Sequence, residues 1–227
     1  MLEHMIERSQ RHPLPRAYLA HWWVLRASQG WSKDTESDAR AALDCTRRAL
    51  DCDPNHSLAL TIDGLVHTNL LRDPVAAYSR YESAITSNPN ESLCWLLNGT
   101  MHAFKGEGDQ AVRDTQRALS LSPLDPLKYY YDSLAASAAL SAADYQKAID
   151  LSRRSVRANR THTSTYRVIA IAQAMLGNIE DAKRTMNDLL VLEPDFTVTR
   201  FLERSPGKKF AIRQKFAAAL EQAGAPK

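Results

Sequence analysis

The sequence predicts an all-α chain, an α-solenoid of antiparallel helix pairs, and three observations carry that expectation. The composition is helical, with only 8 glycines and 10 prolines punctuating 227 residues and Ala, Leu, Gln, Arg and Lys filling the segments between. Similar phrases then close at a near-constant interval: DCDPN at Asn55, TSNPN at Asn90, SLSPLD at Asp125 and VLEPD at Asp195. Pro54 to Pro89 is 35 residues, Pro89 to Pro123 is 34, and Pro123 to Pro194 is 71, room for two periods with Arg160 where the middle proline is missing. Small residues, finally, recur at fixed offsets. With the closing proline as position 32, the period ending at Pro123 has Trp95 at 4, Gly99 at 8, Ala111 at 20 and Ala118 at 27. The period ending at Pro194 has Tyr166, Ala170 and Ala182 at the first three of those places and departs with Leu189 at the fourth. Small side chains there let two helices approach closely, and the aromatic residue fills the space beside them.

Taken in order, Met1 to Gln10 reads as the second helix of a repeat whose first half is absent, or as an N-terminal cap, so residues 1–13 stand outside the array. Helix pairs follow over residues 14–195: Arg16 to Ser28 with Asp38 to Asp51, Leu58 to Leu70 with Pro74 to Ser87, and Ser92 to Lys105 with Asp109 to Leu121. Pro126 to Leu140 with Asp144 to Ala158, and Thr163 to Leu176 with Ile179 to Leu192, complete five pairs, more than the roughly three a stack needs. The GEG of residues 106–108 is not a phosphate loop, because no strand feeds it. Gly106 is expected to end one helix in a left-handed conformation and Asp109 to cap the next, and Gly177 does the same in MLGNIEDA. Residues 196–227 leave the period: a short apolar segment, a break at SPGKK, then Phe210, Ile212, Phe216, Ala219 and Leu220 at helical spacing, a terminal helix suited to covering the last pair.

The residues at positions 4, 8, 20, 27 and 32 closely resemble those of the tetratricopeptide repeat (TPR) family. That resemblance implies a right-handed superhelix with a C-terminal capping helix, and a protein-binding role for its concave surface. DPLKYYYDSLAASAALSAADYQKAIDLSRRSVRAN and the ending RQKFAAALEQAGAPK further resemble the C-terminal repeat halves of bacterial signalling proteins that carry a cyclase or a winged-helix domain. This implies context rather than activity, since no catalytic or DNA-reading residue carries over. Family members that clamp a C-terminal carboxylate use Lys, Arg and Asn at positions 2, 5, 6 and 9, and here those places hold mostly Leu and Thr.

On that frame the concave groove is formed by positions 2, 5, 9 and 12 of each first helix. These are Leu58, Thr61, Leu65 and Thr68, then Leu93, Leu96, Thr100 and Ala103, then Ser164, Arg167, Ile171 and Ala174, with Tyr130 as the counterpart in the fourth pair. Such a groove is nearly uncharged and suits an amphipathic helix or an extended apolar segment. Trp31, in the insert SQGWSKDTESD, is either a second anchor or folds back over Trp22 or Trp23.

Other functions find little support. There is no HExxH, GxSxG or GxxxxGK[ST], and neither catalytic residues nor cofactor nor metal are expected. His67 and His102 share position 11 in adjacent repeats and read as core or partly buried residues rather than a ligand pair. Cys45, Cys52 and Cys94 are an odd number at wide spacing, which argues for free thiols and a reducing compartment, with Cys45 and Cys52 as small buried side chains on one helix face. MLEHMIER lacks the apolar run of a secretory signal, no stretch of about 18 apolar residues occurs, and the expected location is the cytoplasm. The expectation is thus a non-catalytic scaffold binding a protein, a peptide or other domains of a longer parent chain, as the sensory or assembly part of a signalling protein. Two alternatives stand beside it. Self-association through the face left by the missing half-repeat is one. Nucleic-acid contact is the other, through residues 199–227, whose seven Lys or Arg and two Glu give +5, although sparse lysines and no aromatic ladder argue against it.

Overall fold

A computed structural model describes residues 1–28 and 30–227. Among the described residues the regular structure is entirely helical. Packing divides the chain into two units, Met1–Leu97 and Asn98–Lys227.

The first unit contains α1 (Leu2–Arg8), the pair α2 (Pro13–Ser28) and α3 (Thr35–Cys52), and the pair α4 (Ser57–Val66) and α5 (Pro74–Ser87). α2 starts three residues before the expected Arg16, because Pro13 and Pro15 fall in the first turn, where a backbone N–H has no helical partner anyway. α3 also starts early. Asp34 is extended and its carboxylate accepts from the Ser37 N–H at 2.9 Å, so the cap sits at the end of the insert. α4 does not run on to Leu70 as an α-helix: His67–Leu71 form a π-helical turn closed by Arg72 in the left-handed region (φ 56°). Asp73 then caps α5, accepting from Val75 and Ala76 N–H, with Pro74 at the first helical position. The core of this unit is built on close approach: Ala17, Ala49 and Ala59 pack together, and a Cβ on Gly64 would come within 2.6 Å of the Tyr81 ring.

α6 (Ser92–Lys105) begins in the first unit and continues into the second. The second unit then pairs α7 (Gly108–Leu121) with the end of α6, α8 (Lys128–Ser141) with α9 (Tyr145–Ala158), and α10 (Thr163–Met175) with α11 (Ile179–Leu192), followed by α12 (Val198–Arg204) and α13 (Ala211–Gln222). Gly106 and Gly177 are left-handed at φ 85° and 80°, as the sequence predicts. Asp109, however, does not cap α7. Glu107 occupies the cap position without a side-chain hydrogen bond, and Asp109 lies in the first turn, where its charge favours the helix dipole. Gly108 is the first residue of α7 and meets the end of α8, so its missing Cβ is a packing requirement. α8 starts two residues after Pro126 because Asp125 accepts from the Leu127 N–H (2.8 Å) and the Ser122 hydroxyl (2.9 Å), which prolongs the turn.

A single core runs through α8, α9, α10 and α11 and continues into α13 through Phe216, Ala219 and Leu220. α13 packs on α10 and α11, the last pair, as the sequence predicts, and it also reaches back to earlier pairs. Ile212 lies against Gly106 at the end of α6, Lys215 Nζ is 3.4 Å from the Tyr145 hydroxyl at the start of α9, and Phe216 and Ile212 help line a cleft with Leu140 and Ala143. All three cysteines are thiols, none in a disulfide: Cys94 is buried and Cys45 half-buried. Cys52 is exposed at the last residue of α3, against the expectation of a buried pair, because it lies where the helix leaves the core.

Candidate binding site

Of the thirteen groove residues, eight are buried: Thr61, Leu65, Thr68, Leu96, Thr100, Ala103, Ile171 and Ala174. Leu58, Leu93, Tyr130, Ser164 and Arg167 are half-buried and keep part of their surface open. In the first unit the depth of α4 explains this. All but its first two residues are buried, and the Thr68 hydroxyl donates to the Gly64 carbonyl (2.9 Å) and lies 3.1 Å from the Tyr81 hydroxyl. Accessible surface on this helix is left to Leu58, at its start. Trp31 is 68% exposed, while Trp22 and Trp23 meet edge to face at 4.9 Å with the Arg26 guanidinium over both rings.

In the second unit Ala103 packs with Ala111 and Ala138, and Ile171 lies in the core that α13 completes. What remains open around α10 is polar and aromatic. Tyr129 and Tyr130 flank the His162 ring at 5.3 and 6.3 Å, and His162 Nε2 and the Ser164 hydroxyl share a 2.7 Å hydrogen bond. Burial, with Arg167 nearby, lowers the His162 pKa to about 4, so the ring is neutral near pH 7. Burial also raises the Tyr130 pKa, helped by Tyr131 and Tyr129, which keeps its phenol protonated. Arg167 donates to Glu193 at 3.0 Å and lies 5.8 Å from the Phe196 ring centre. Burial pulls its pKa down while Glu193 holds it up. Arg204 Nη1 approaches the other oxygen of Glu193 at 3.4 Å.

Two features had no counterpart in the sequence reading. Helix pairs in both units hold a buried aspartate against an arginine of the partner helix: Asp38 with Arg26 at 3.1 Å, Asp63 with Arg80 at 2.8 Å, and Asp132 with Arg154 at 3.1 Å. Asp63 also accepts from the Thr46 hydroxyl of the preceding pair. Such residues look like solvated helix charges until their faces are known. The other feature is the pairing of Arg167 and Arg204 with one carboxylate, Glu193, while Arg213 lies over the Phe201 and Phe104 rings. His67 and His102 are packed beside acids of their own units: His67 is 3.8 Å from Asp63, and His102 shares a 2.5 Å hydrogen bond with Glu107. Among the described residues, no group of His, Cys, Asp or Glu is placed to hold a metal ion, and no helix is long and apolar enough to cross a membrane.

Comparison with solved structures fits these helix pairs. YrrB, described as a TPR protein with an unusual peptide-binding site, matches over 86% of this chain and 93% of its own, with a TM-score of 0.53 and 17% identity. The fold is an α-solenoid of the tetratricopeptide type. PilW, a widely conserved type IV pilus biogenesis factor, matches over 91% of this chain and 90% of its own at TM-score 0.65 and 16% identity. The APC/C hetero-tetramer Cut9–Hcn1 matches over 98% of this chain and 45% of the solved one, at TM-score 0.67 and 14% identity. No protein-family model and no curated protein matches the chain.

Proposed function

We propose that the chain is a non-catalytic scaffold that binds a protein or peptide through the first helices of its pairs, as the sensory or assembly part of a bacterial signalling protein in the cytoplasm. One observation carries the reading. Leu58 and Leu93, at matching places in successive repeats, are half-buried apolar side chains at the starts of α4 and α6, and Tyr130 and Arg167 are half-buried on later first helices. Within the first unit, Leu58 and Leu93 recur with the repeat and offer a partner segment successive apolar anchors. The peptide-binding site named for YrrB and the signalling-protein resemblance of residues 125–159 and 213–227 support it.

The experiment is affinity capture from cell lysate with the intact chain and with Leu58→Arg/Leu93→Arg, then calorimetry with the purified captured protein. A partner whose affinity drops at least about tenfold in the variant, with helix content unchanged, supports the reading. Equal binding by both chains removes it. Self-association is a second reading, favoured by the exposed Trp31 with Tyr18 and Trp22, 47% and 44% exposed, in the first unit. Light scattering that stays monomeric over a wide concentration range refutes it. The tail gives nucleic-acid contact no such support, since Arg200 pairs with Asp195 at 3.3 Å, Arg204 with Glu193, and Arg213 sits between aromatic rings.

A further inference from the structure

Among the described residues, no ion pair is formed by the Arg213 side chain. Its guanidinium lies over Phe201 at 4.4 Å and Phe104 at 5.4 Å, and its buried Nε has no hydrogen-bond partner among the described residues. Aromatic faces offset part of the desolvation, but a buried cation is costly until an anion meets it. The neighbouring charges make the deficit worse. Burial, with Arg167 nearby, depresses the Arg213 pKa, and Glu193 is already divided between Arg167 and Arg204. Two guanidiniums thus share Glu193, and Arg213 draws on neither of its oxygens.

The start of α13 points the same way. Phe210, at the cap position, offers the first turn no side-chain acceptor, and that turn contains no acid. Arg213 instead places a positive charge where the helix dipole favours a negative one. An anion at this place would satisfy the dipole and the arginine together.

We infer that Arg167, Arg204 and Arg213 form a binding site for the carboxylate of an acidic side chain carried by a partner peptide. Glu193 shows the chemistry within the chain, since one carboxylate bridges two of the three arginines and leaves Arg213 for a second. The site draws two of its arginines from α12 and α13, outside the repeats, so it is not the clamp of positions 2, 5, 6 and 9. It rests on the proposed scaffold reading only for the peptide that delivers the carboxylate.

The test uses the full chain with ¹⁵N-labelled arginine. An acetylated, amidated tetraglutamate peptide is titrated in at constant ionic strength, with the tetraglutamine peptide and sodium phosphate in parallel. Expected is a saturable shift of the Arg213 guanidinium resonances with tetraglutamate and none with tetraglutamine. Calorimetric affinity should fall about tenfold or more in Arg213→Gln and measurably in Arg204→Gln, an exposed position that leaves folding untouched. No saturable shift, an equal shift with both peptides, or saturation with phosphate alone would overturn the assignment. A saturating Arg213 shift together with a failed capture removes the scaffold reading and keeps the site. The converse removes the site alone.

Discussion

Replacing Gly108 by alanine tests whether the helix pairs of the second unit are held at the contact distance described above. A Cβ built there lies 2.4 Å from Ala142 Cα, 2.5 Å from Ala142 N and 2.7 Å from Ser141 C. All three are backbone atoms at the end of α8, so no side chain can swing aside. A comfortable carbon contact is about 3.5–4.0 Å, which means α7 and the end of α8 must separate by about 1 Å. Overpacking of this kind costs about 1–3 kcal/mol, and alanine returns less than about 1 kcal/mol of helix propensity at a first-turn position. The net expectation is a loss of about 2 kcal/mol, a fall in Tm of about 4–8 °C for a chain of this size. Urea unfolding followed by circular dichroism reads it directly, with an unchanged m-value showing that only the folded state was altered. Gly177, left-handed with nothing within 4 Å of its Cβ position, is the control. Asparagine there tolerates the left-handed backbone and should be nearly neutral, whereas asparagine at Gly108 should be worse than alanine. If Gly108→Ala unfolds within about 0.5 kcal/mol of the wild type, the tight-contact account is wrong.

Further outcomes follow from the buried polar groups. His162 has a folded pKa of about 4 against 6.5 for the free side chain, so between these values the unfolded chain binds the extra proton. Its contribution to stability is therefore complete above pH 6.5, shrinks as pH falls toward 4 and changes no further below, by on the order of 2 kcal/mol after allowing for partial exposure. Urea midpoints across that range should be flatter for His162→Gln, and parallel curves would remove His162 as the cause. Asp63→Ala should cost about 3 kcal/mol, because Arg80 loses its carboxylate and the buried Thr46 hydroxyl keeps only the Leu43 carbonyl at 3.2 Å. A loss near zero would mean that this pair is solvated in solution.

The period was legible because it is written in residues that can serve only one purpose, prolines that end a phrase and small side chains where two helices touch. Gly106 and Gly177 were legible for the same reason, since a left-handed position after a helix has few tenants. Asp109 was misplaced because a cap is defined by backbone geometry, and a glycine that can itself begin the helix moves the start by a residue or two. The π-helical turn of His67–Leu71 left no mark, because one extra residue in a helix leaves the apolar pattern almost unchanged. The groove positions were read from the repeat frame, which tells which helix face is inward but not how deeply it is covered. Ile171 belongs to a core that α13 completes some 45 residues later in the chain, and no local pattern encodes that. The arginine site was illegible for the same reason, since α10, α12 and α13 each contribute one member.

The path of α13 also bears on how the second unit folds and comes apart. In a plain repeat array each pair touches only its neighbours, stability is a sum of nearest-neighbour terms, and the ends can fray one repeat at a time. Here the terminal helix ties Gly106 to Ile212 and Tyr145 to Lys215, contacts that close loops of about 106 and 70 residues. Closing such loops slows folding, because their entropy is lost before the contacts repay it. Once formed, they oppose fraying, since the last pair cannot leave without releasing contacts made at the end of α6. The second unit is thus built to unfold as a single cooperative body, its last helix acting as a brace across what would otherwise be a chain of independent links.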